Sequence, residues 1–189
     1  KILHECNNPH DKFKSIHLAG TNGKGSTASI IAKILQNSGQ KVGLYTSPHL
    51  INFNERIRIN GVPISDNDII SFTKKYRDFF EKYSITFFEA TTAMAFDYFR
   101  KNEIDIAIVE TGLGGRLDST NVLSPIHTII TEIDFDHTHL LGETVEEITA
   151  EKCGIIKNDT PNTTINTKNN IVKVIDKFST KHNTKTNYI

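Results

Sequence analysis

The chain has 189 residues, with 22 Lys and Arg against 22 Asp and Glu, a formal net charge of zero, 37% hydrophobic residues and 23% charged ones. Balanced charge excludes a polyanion binder, which needs a strong basic excess, and the apolar fraction excludes a disordered chain. No run approaches the ~18 uninterrupted apolar residues of a membrane helix, so a transmembrane protein is excluded and one domain is expected.

In chain order, Lys1 to Lys14 is polar and lacks the apolar core of a signal peptide. A cytoplasmic protein is therefore expected, and the Lys start points to a trimmed chain. Ser15–Gly20 is a short apolar run ending in glycine and reads as a buried strand. Lys24 to Ser38 carries Ile30, Ile31, Ile34 and Leu35 at helical spacing, with Gly39 where a helix would stop. Val42–Thr46 is a second buried strand, which completes a βαβ unit and implies a parallel sheet with a right-handed crossover.

Arg56–Ile59 and Val62–Ile64 flank Asn60-Gly61, a dipeptide that favours a tight hairpin. Ser65, followed by Asp66 and Asp68, is an N-cap with acids in the first turn, so a helix starts there. A second helix is expected from Glu89 to Lys101, with Thr92, Ala95, Phe96 and Phe99 on one face and Asp97 pointing away from it. Ile104–Val109 and Ile126–Ile130 are strands, and Thr144–Lys152 is a helix. The Asn-rich tail holds a weak strand at Thr163–Ile165, an amphipathic helix through Ile171, Val174, Ile175 and Phe178, and a hint of strand at Tyr188-Ile189. The expected fold is α/β: an open, mostly parallel sheet flanked by helices, with ligands beyond the carboxyl ends of the strands. Cys6 and Cys153, far apart, offer neither a disulfide framework nor a cysteine zinc site and suit a reducing compartment.

Gly20-Thr21-Asn22-Gly23-Lys24-Gly25-Ser26 falls between a strand and a helix, the setting a phosphate-binding loop requires. Its glycines let backbone N–H groups turn toward phosphate oxygens, the helix adds its positive end, and the Lys24 ammonium reaches the outer phosphates. The loop is a variant: Leu18 stands where the commonest pattern has glycine, and Gly25 separates Lys24 from Ser26. Glu110 closes an apolar strand, where many phosphate-loop enzymes carry a Mg²⁺ carboxylate. Gly112, Gly114 and Gly115 after it let the backbone pass close to a ligand. Ser47, after the second strand, faces the same crevice. In Asp134-Phe-Asp-His137 a histidine stands beside carboxylates, but His139 is a rival and Mg²⁺ prefers oxygen, so position alone leaves its role open.

Seven segments in one order, HLAGTNGKGST (17–27), TSPHL (46–50), NERIRING (54–61), TFFEATTAMAF (86–96), ETGLGGRLDSTN (110–121), DFDHTHLLGET (134–144) and EKCGI (151–155), resemble the folylpolyglutamate synthase and dihydrofolate synthase family. These are ATP-dependent amide ligases of the Mur ligase superfamily, and the resemblance covers most of residues 15–157. It implies a phosphate-loop domain like the Mur ligase central domain. The implied reaction is phosphorylation of a pterin-linked carboxylate by ATP, then displacement of phosphate by the amine of L-glutamate.

The same resemblance implies site residues. Thr21, Asn22, Gly23, Lys24, Gly25 and Ser26 hold ATP; Ser47 and Glu110 hold one Mg²⁺; His137 holds a second. Lys152 resembles the family's carbamylated lysine, and with Lys24 and His137 makes up the catalytic set. Thr86, Phe87, Phe88, Glu89, Leu117, Asp118 and Ser119 resemble the pterin-contacting segments, and Ser47 through Arg56 a mobile loop that closes over the substrate. The partners implied are dihydropteroate or folate, L-glutamate and ATP, with no nucleic acid, no membrane and a monomeric protein. A C-terminal domain that completes the family's site has no room here, so residues 1–189 are expected to be one ATP-binding domain and a fragment. Two other readings stand beside this one: another amino-acid ligase of the superfamily acting on a peptidoglycan-type acid, and a phosphate-loop binding module without ligase activity.

Overall fold

A computed structural model describes residues 1–189. After a short helix α1 (Ile2–Glu5) and a 3-10 turn at Pro9–Lys12, the chain runs β1 (Lys14–Ala19), α2 (Lys24–Asn37) and β2 (Val42–Tyr45). A hairpin follows, β3 (Ile57–Ile59) and β4 (Val62–Pro63), then helices α3 (Asp66–Tyr83) and α4 (Phe87–Lys101). The second half is β5 (Ile106–Glu110), β6 (His127–Ile130), α5 (Thr138–Leu141), α6 (Val145–Cys153), β7 (Asn162–Thr164), α7 (Asn169–Lys181) and β8 (Thr186–Tyr188). All eight strands form one sheet in the order β4-β3-β2-β5-β1-β6-β7-β8, and only β3 runs against the others, antiparallel to both β2 and β4.

The expected open parallel sheet is what the chain builds. Its centre, β1 between β5 and β6, is buried on both faces, which is why these strands read as continuous apolar runs. Along β5 the period of two sorts the side chains: Ile106 and Ile108 pack under α2, while Ala107 and Val109 join Tyr45, Phe96 and Phe99 beneath α3 and α4. A third cluster, with Ile130, Ile148 and Ile175, seats α6 and α7 on the other wing of the sheet. Asn60 and Gly61 turn the hairpin with φ of 49° and 80°, the left-handed pair that a two-residue turn needs.

Three local expectations change. Helix α4 begins at Phe87 rather than Glu89, because Thr86 is its N-cap and Glu89 returns to the Thr86 N–H in a capping box. On α2 the buried positions are Ala28 and Ala32, which lets the helix lie close on the sheet, while Ile30 and Ile34 face outward. Asp97, expected to point away from the apolar face, is instead buried, clamped by Arg100 at 2.8 Å and Lys101 at 2.7 Å. The short helices α1 and α5 carry no periodicity long enough to announce them. No helix is long and apolar enough to cross a membrane.

Candidate functional site

The loop between β1 and α2 is held from the β6 side. Thr21 and Asn22 donate their N–H groups to the Glu132 carbonyl at 2.7 and 3.4 Å, and Thr21 Oγ1 exchanges hydrogen bonds with the backbone of Asp134. The Asn22 amide reaches Glu132 Oε2, and Thr131 Oγ1 donates to the Asn22 carbonyl at 2.7 Å. Thr21 and Asn22 therefore shape the loop, and their side chains are already engaged. Gly20 permits this packing, since a β-carbon there would stand 1.9 Å from Thr131 Oγ1.

Gly23, with φ of 80°, then turns the chain into α2. The first backbone bond of that helix is Thr27 N–H to the Gly23 carbonyl. The N–H groups of Lys24, Gly25 and Ser26 consequently open the helix with no carbonyl one turn back, and the first turn holds no acid. This is an anion cradle made of backbone. Lys24 Nζ folds back over it, donating to the carbonyls of Gly20 at 2.9 Å and Thr21 at 3.2 Å.

A cleft of about 280 Å³ lies beside the cradle, lined by Gly23, Gly25, Ser26, Ser47, Arg58 and Glu110, among others. Glu110 is 4% exposed, and its protein hydrogen bond is the N–H of Ser47 at 3.2 Å. Burial raises its pKa above the ordinary carboxylate value, opposed by that hydrogen bond and by the charge of Lys24. A buried carboxylate with so few donors, beside a serine at the strand end, is a hard-oxygen set that suits Mg²⁺.

Through Ser47 and Pro48 this cleft joins a larger one of about 550 Å³. Its lining includes Phe88, Leu117, Asp118 and Ser119 together with Arg56, Gly112–Gly115, Leu141 and Glu151. Thr86, Phe87 and Glu89 are not part of that wall. Phe87 is 62% exposed and packs on Phe53 and the Arg56 guanidinium, while Glu89 caps its own helix and faces a small hollow beside Lys1 and Ser119. Gly112 lets the Phe88 ring lie against the backbone, since a β-carbon there would come within 2.3 Å of Phe88 Cζ. Asp118 is spent on its own loop: Oδ2 accepts from Gly112 and Leu113, and Oδ1 from Thr120.

Lys152 joins the loop from α6. Its side chain on α6 is 1% exposed, and its Nζ donates to the Gly20 carbonyl at 2.9 Å. Burial first, and the charge of Lys24 second, lower its pKa to about 8, with Asp136 opposing. The Arg116–Glu151 ion pair at 2.9 Å, together with the bond from Arg116 N–H to the Glu151 carbonyl, pins α6 to the loop after β5. His137 caps α5 with φ of 44° and lies 3.4 Å from Asp136 Oδ1, half-exposed. His139 stands near it, with ring centroids 6.1 Å apart. Arg56, which the resemblance puts at the end of the mobile loop, also stands in the wall of the larger cleft, just after the Asn52–Glu55 capping box that precedes β3.

The Mur ligase middle domain family matches residues 18–188. The chain is 44% identical over 189 residues to the dihydrofolate synthase/folylpolyglutamate synthase of Bacillus subtilis strain 168, covering 96% of this chain and 44% of that protein. A crystal structure of folylpolyglutamate synthase from Thermotoga maritima superposes with a TM-score of 0.93 at 39% identity, over 99% of this chain and 44% of that one. A structure described as an FPGS–AMPPCP–folate complex superposes with a TM-score of 0.93 at 39% identity, over 98% of this chain and 47% of its own. The chain thus spans less than half the length of these relatives.

Proposed function

Because the chain belongs to the Mur ligase middle-domain family, we propose that it is the ATP-binding part of an amide ligase that joins L-glutamate to dihydropteroate, to folate, or to both. The observation that carries this reading is the pair of clefts meeting at Ser47 and Pro48, one beside an open helix N-terminus and one walled by Phe88 and the Gly112–Ser119 loop. A phosphoryl donor in the first cleft can then meet a carboxylate carried by a flat heterocycle in the second. The folate and ATP-analogue complex that the chain resembles supports that assignment.

A carboxylate is a poor electrophile until one oxygen becomes a leaving group. The terminal phosphoryl of ATP moves to that oxygen, giving an acyl phosphate and ADP; the glutamate amine attacks the carbonyl carbon, and phosphate departs. In this chain the N–H groups of Lys24, Gly25 and Ser26 receive the phosphates, and the Lys24 ammonium leaves its backbone carbonyls for the transferring group. Phe88 offers its ring to the heterocycle, with Leu117 and Ser119 beside it. Glu110 and Ser47 would hold Mg²⁺, and His137 a second, which when bound neutralise the phosphate charge. Lys152, buried and with its pKa lowered to about 8, gives up its proton more readily than an ordinary lysine, and the neutral amine would then take up CO2 with loss of a second proton to form a carbamate, turning the positive charge negative.

The test follows phosphate release by the protein in its longest encoded form, with ATP, Mg²⁺ and L-glutamate, on addition of dihydropteroate or a reduced folate. Release that depends on both the pterin acid and glutamate supports the proposal. Equal release with a peptidoglycan-type acid assigns another ligase of the superfamily. Nucleotide binding without acceptor-dependent release overturns ligase function.

A further inference from the structure

His17 lies within β1, fully buried, and the chemistry above gives it no task. Its neighbours on the strand, Ile16 and Leu18, are apolar, and an apolar residue would occupy that interior more cheaply than an imidazole. The imidazole has one partner: Nε2 lies 2.8 Å from Thr120 Oγ1, 103 residues away in the chain. That hydroxyl donates to Asp118 Oδ1, which also accepts the Thr120 N–H at 2.9 Å. The other carboxylate oxygen of Asp118 accepts the N–H groups of Gly112 and Leu113, at 2.8 and 2.9 Å. A hydroxyl has one proton to give. Since that of Thr120 goes to the carboxylate, His17 Nε2 carries the ring proton and Nδ1 is bare. Nδ1 indeed has no hydrogen-bond partner. Burial, with the charge of Lys157 as a lesser cause, lowers the ring's pKa to about 3 and keeps it neutral.

We propose that His17 is a positioning residue for the larger cleft, fixing Asp118 through Thr120 and thereby the Gly112–Leu113 backbone that forms the cleft wall. Strand β1 is paired on both sides, by β5 and β6, and so gives the loop a fixed point from which to be braced. The same loop is braced independently by Lys157, whose Nζ donates to both Asn121 oxygens at 3.0 and 2.9 Å, so His17 serves the Asp118 end. The ligand that benefits, a flat heterocyclic acid, rests on the function proposed above; the relay itself does not.

Amide hydrogen exchange and calorimetric titration of the intact protein test this on His17→Leu, His17→Gln and Thr120→Val. In His17→Leu and Thr120→Val, exchange at Gly112 and Leu113 rises about tenfold, with β2 and α4 amides unchanged. Folate affinity falls about tenfold, equivalent to one lost hydrogen bond, while Mg-ATP affinity holds. His17→Gln, which keeps an N–H near the Nε2 position, restores exchange and affinity to within about threefold of the parent. Unchanged exchange at Gly112 and Leu113, acceleration spread over the whole sheet, or failure of Gln to rescue overturns the positioning role. Should His17→Leu fail to fold, Thr120→Val and His17→Gln carry the same comparison. If the parent binds nucleotide but no folate, the functional reading fails, and the exchange data still decide the relay.

Discussion

Lys24 and Lys152 donate to one acceptor, the carbonyl oxygen of Gly20, each at 2.9 Å. One lysine opens α2 and the other lies near the end of α6, so a single backbone carbonyl gathers two ammonium groups from different helices. Their proximity explains why the charge of Lys24 stands second only to burial in lowering the pKa of Lys152.

This predicts an unusual pH dependence of stability. The ordinary lysine value is 10.5 and the folded one about 8, so between them the unfolded chain binds more protons. The stability contributed by Lys152 rises as pH climbs through that window and is lowest below it. In carbonate-free buffer, Lys152→Met should exceed the parent by up to roughly 3 kcal/mol at pH 7, with the advantage fading toward pH 10.5. Urea unfolding at both pH values measures it, and a gap independent of pH would refute the burial argument.

Glu110 carries a parallel strain of opposite charge. Burial raises its folded pKa, so its contribution falls as pH rises through the window above 4.5 and is lowest at neutral pH. Glu110→Gln should melt higher than the parent at pH 7, the margin closing below pH 4.5. The same change should weaken Mg²⁺-dependent nucleotide binding by roughly tenfold or more, the usual loss when a metal site is disturbed. A variant that melts higher and still binds Mg-ATP normally would remove Glu110 from the metal site.

Lys24→Ala should weaken Mg-ATP binding by about 1.5–3 kcal/mol, the worth of hydrogen bonds to a charged group, without shifting the melting temperature greatly. Lys24 is partly exposed and its two acceptors are loop carbonyls, one of which Lys152 also serves. Calorimetric titration gives the answer, and undiminished binding would sink the cradle as the phosphate site.

Two phenylalanines adjacent in sequence should behave differently. Phe88→Ala removes a wall of the larger cleft and should lower pterin affinity about fivefold, from lost stacking worth roughly 1 kcal/mol. Phe87, outside the cleft wall and packed on Phe53 and the Arg56 guanidinium, should cost less than threefold when changed to Ala. Competitive binding of a labelled folate separates them, and equal losses would mean the ligand lies across the helix start instead.

Much of the frame was legible before any coordinates. Apolar runs marked the central strands, Asn60-Gly61 announced the hairpin, Ser65 capped α3, and the glycine-rich loop stood between a strand and a helix. Each is a local signal, decided by neighbours within one turn or one pleat. Helix α4 starts two residues before the expected Glu89, because Thr86 and Glu89 form a capping box that opens it at Phe87. The outward isoleucines of α2 show the same limit: helical spacing finds a face, but the sheet chose the small alanines.

The sequence by itself determined the alternation of the sheet strands with the longer helices, the phosphate-loop setting, and the set of residues from which a ligase site could be assembled. Only the tertiary structure decided which of those residues share a space. It placed Phe88 and Ser119 in one wall with Arg56 and Glu151, turned Glu89 back to its cap, and closed Asp118 on its own loop. It also brought His17 to Thr120 and Lys152 to Gly20. Those partnerships depend on β1 lying between β5 and β6, so that loops distant in the chain emerge side by side. Such a register is set by the packing of the whole sheet, which no local spacing encodes.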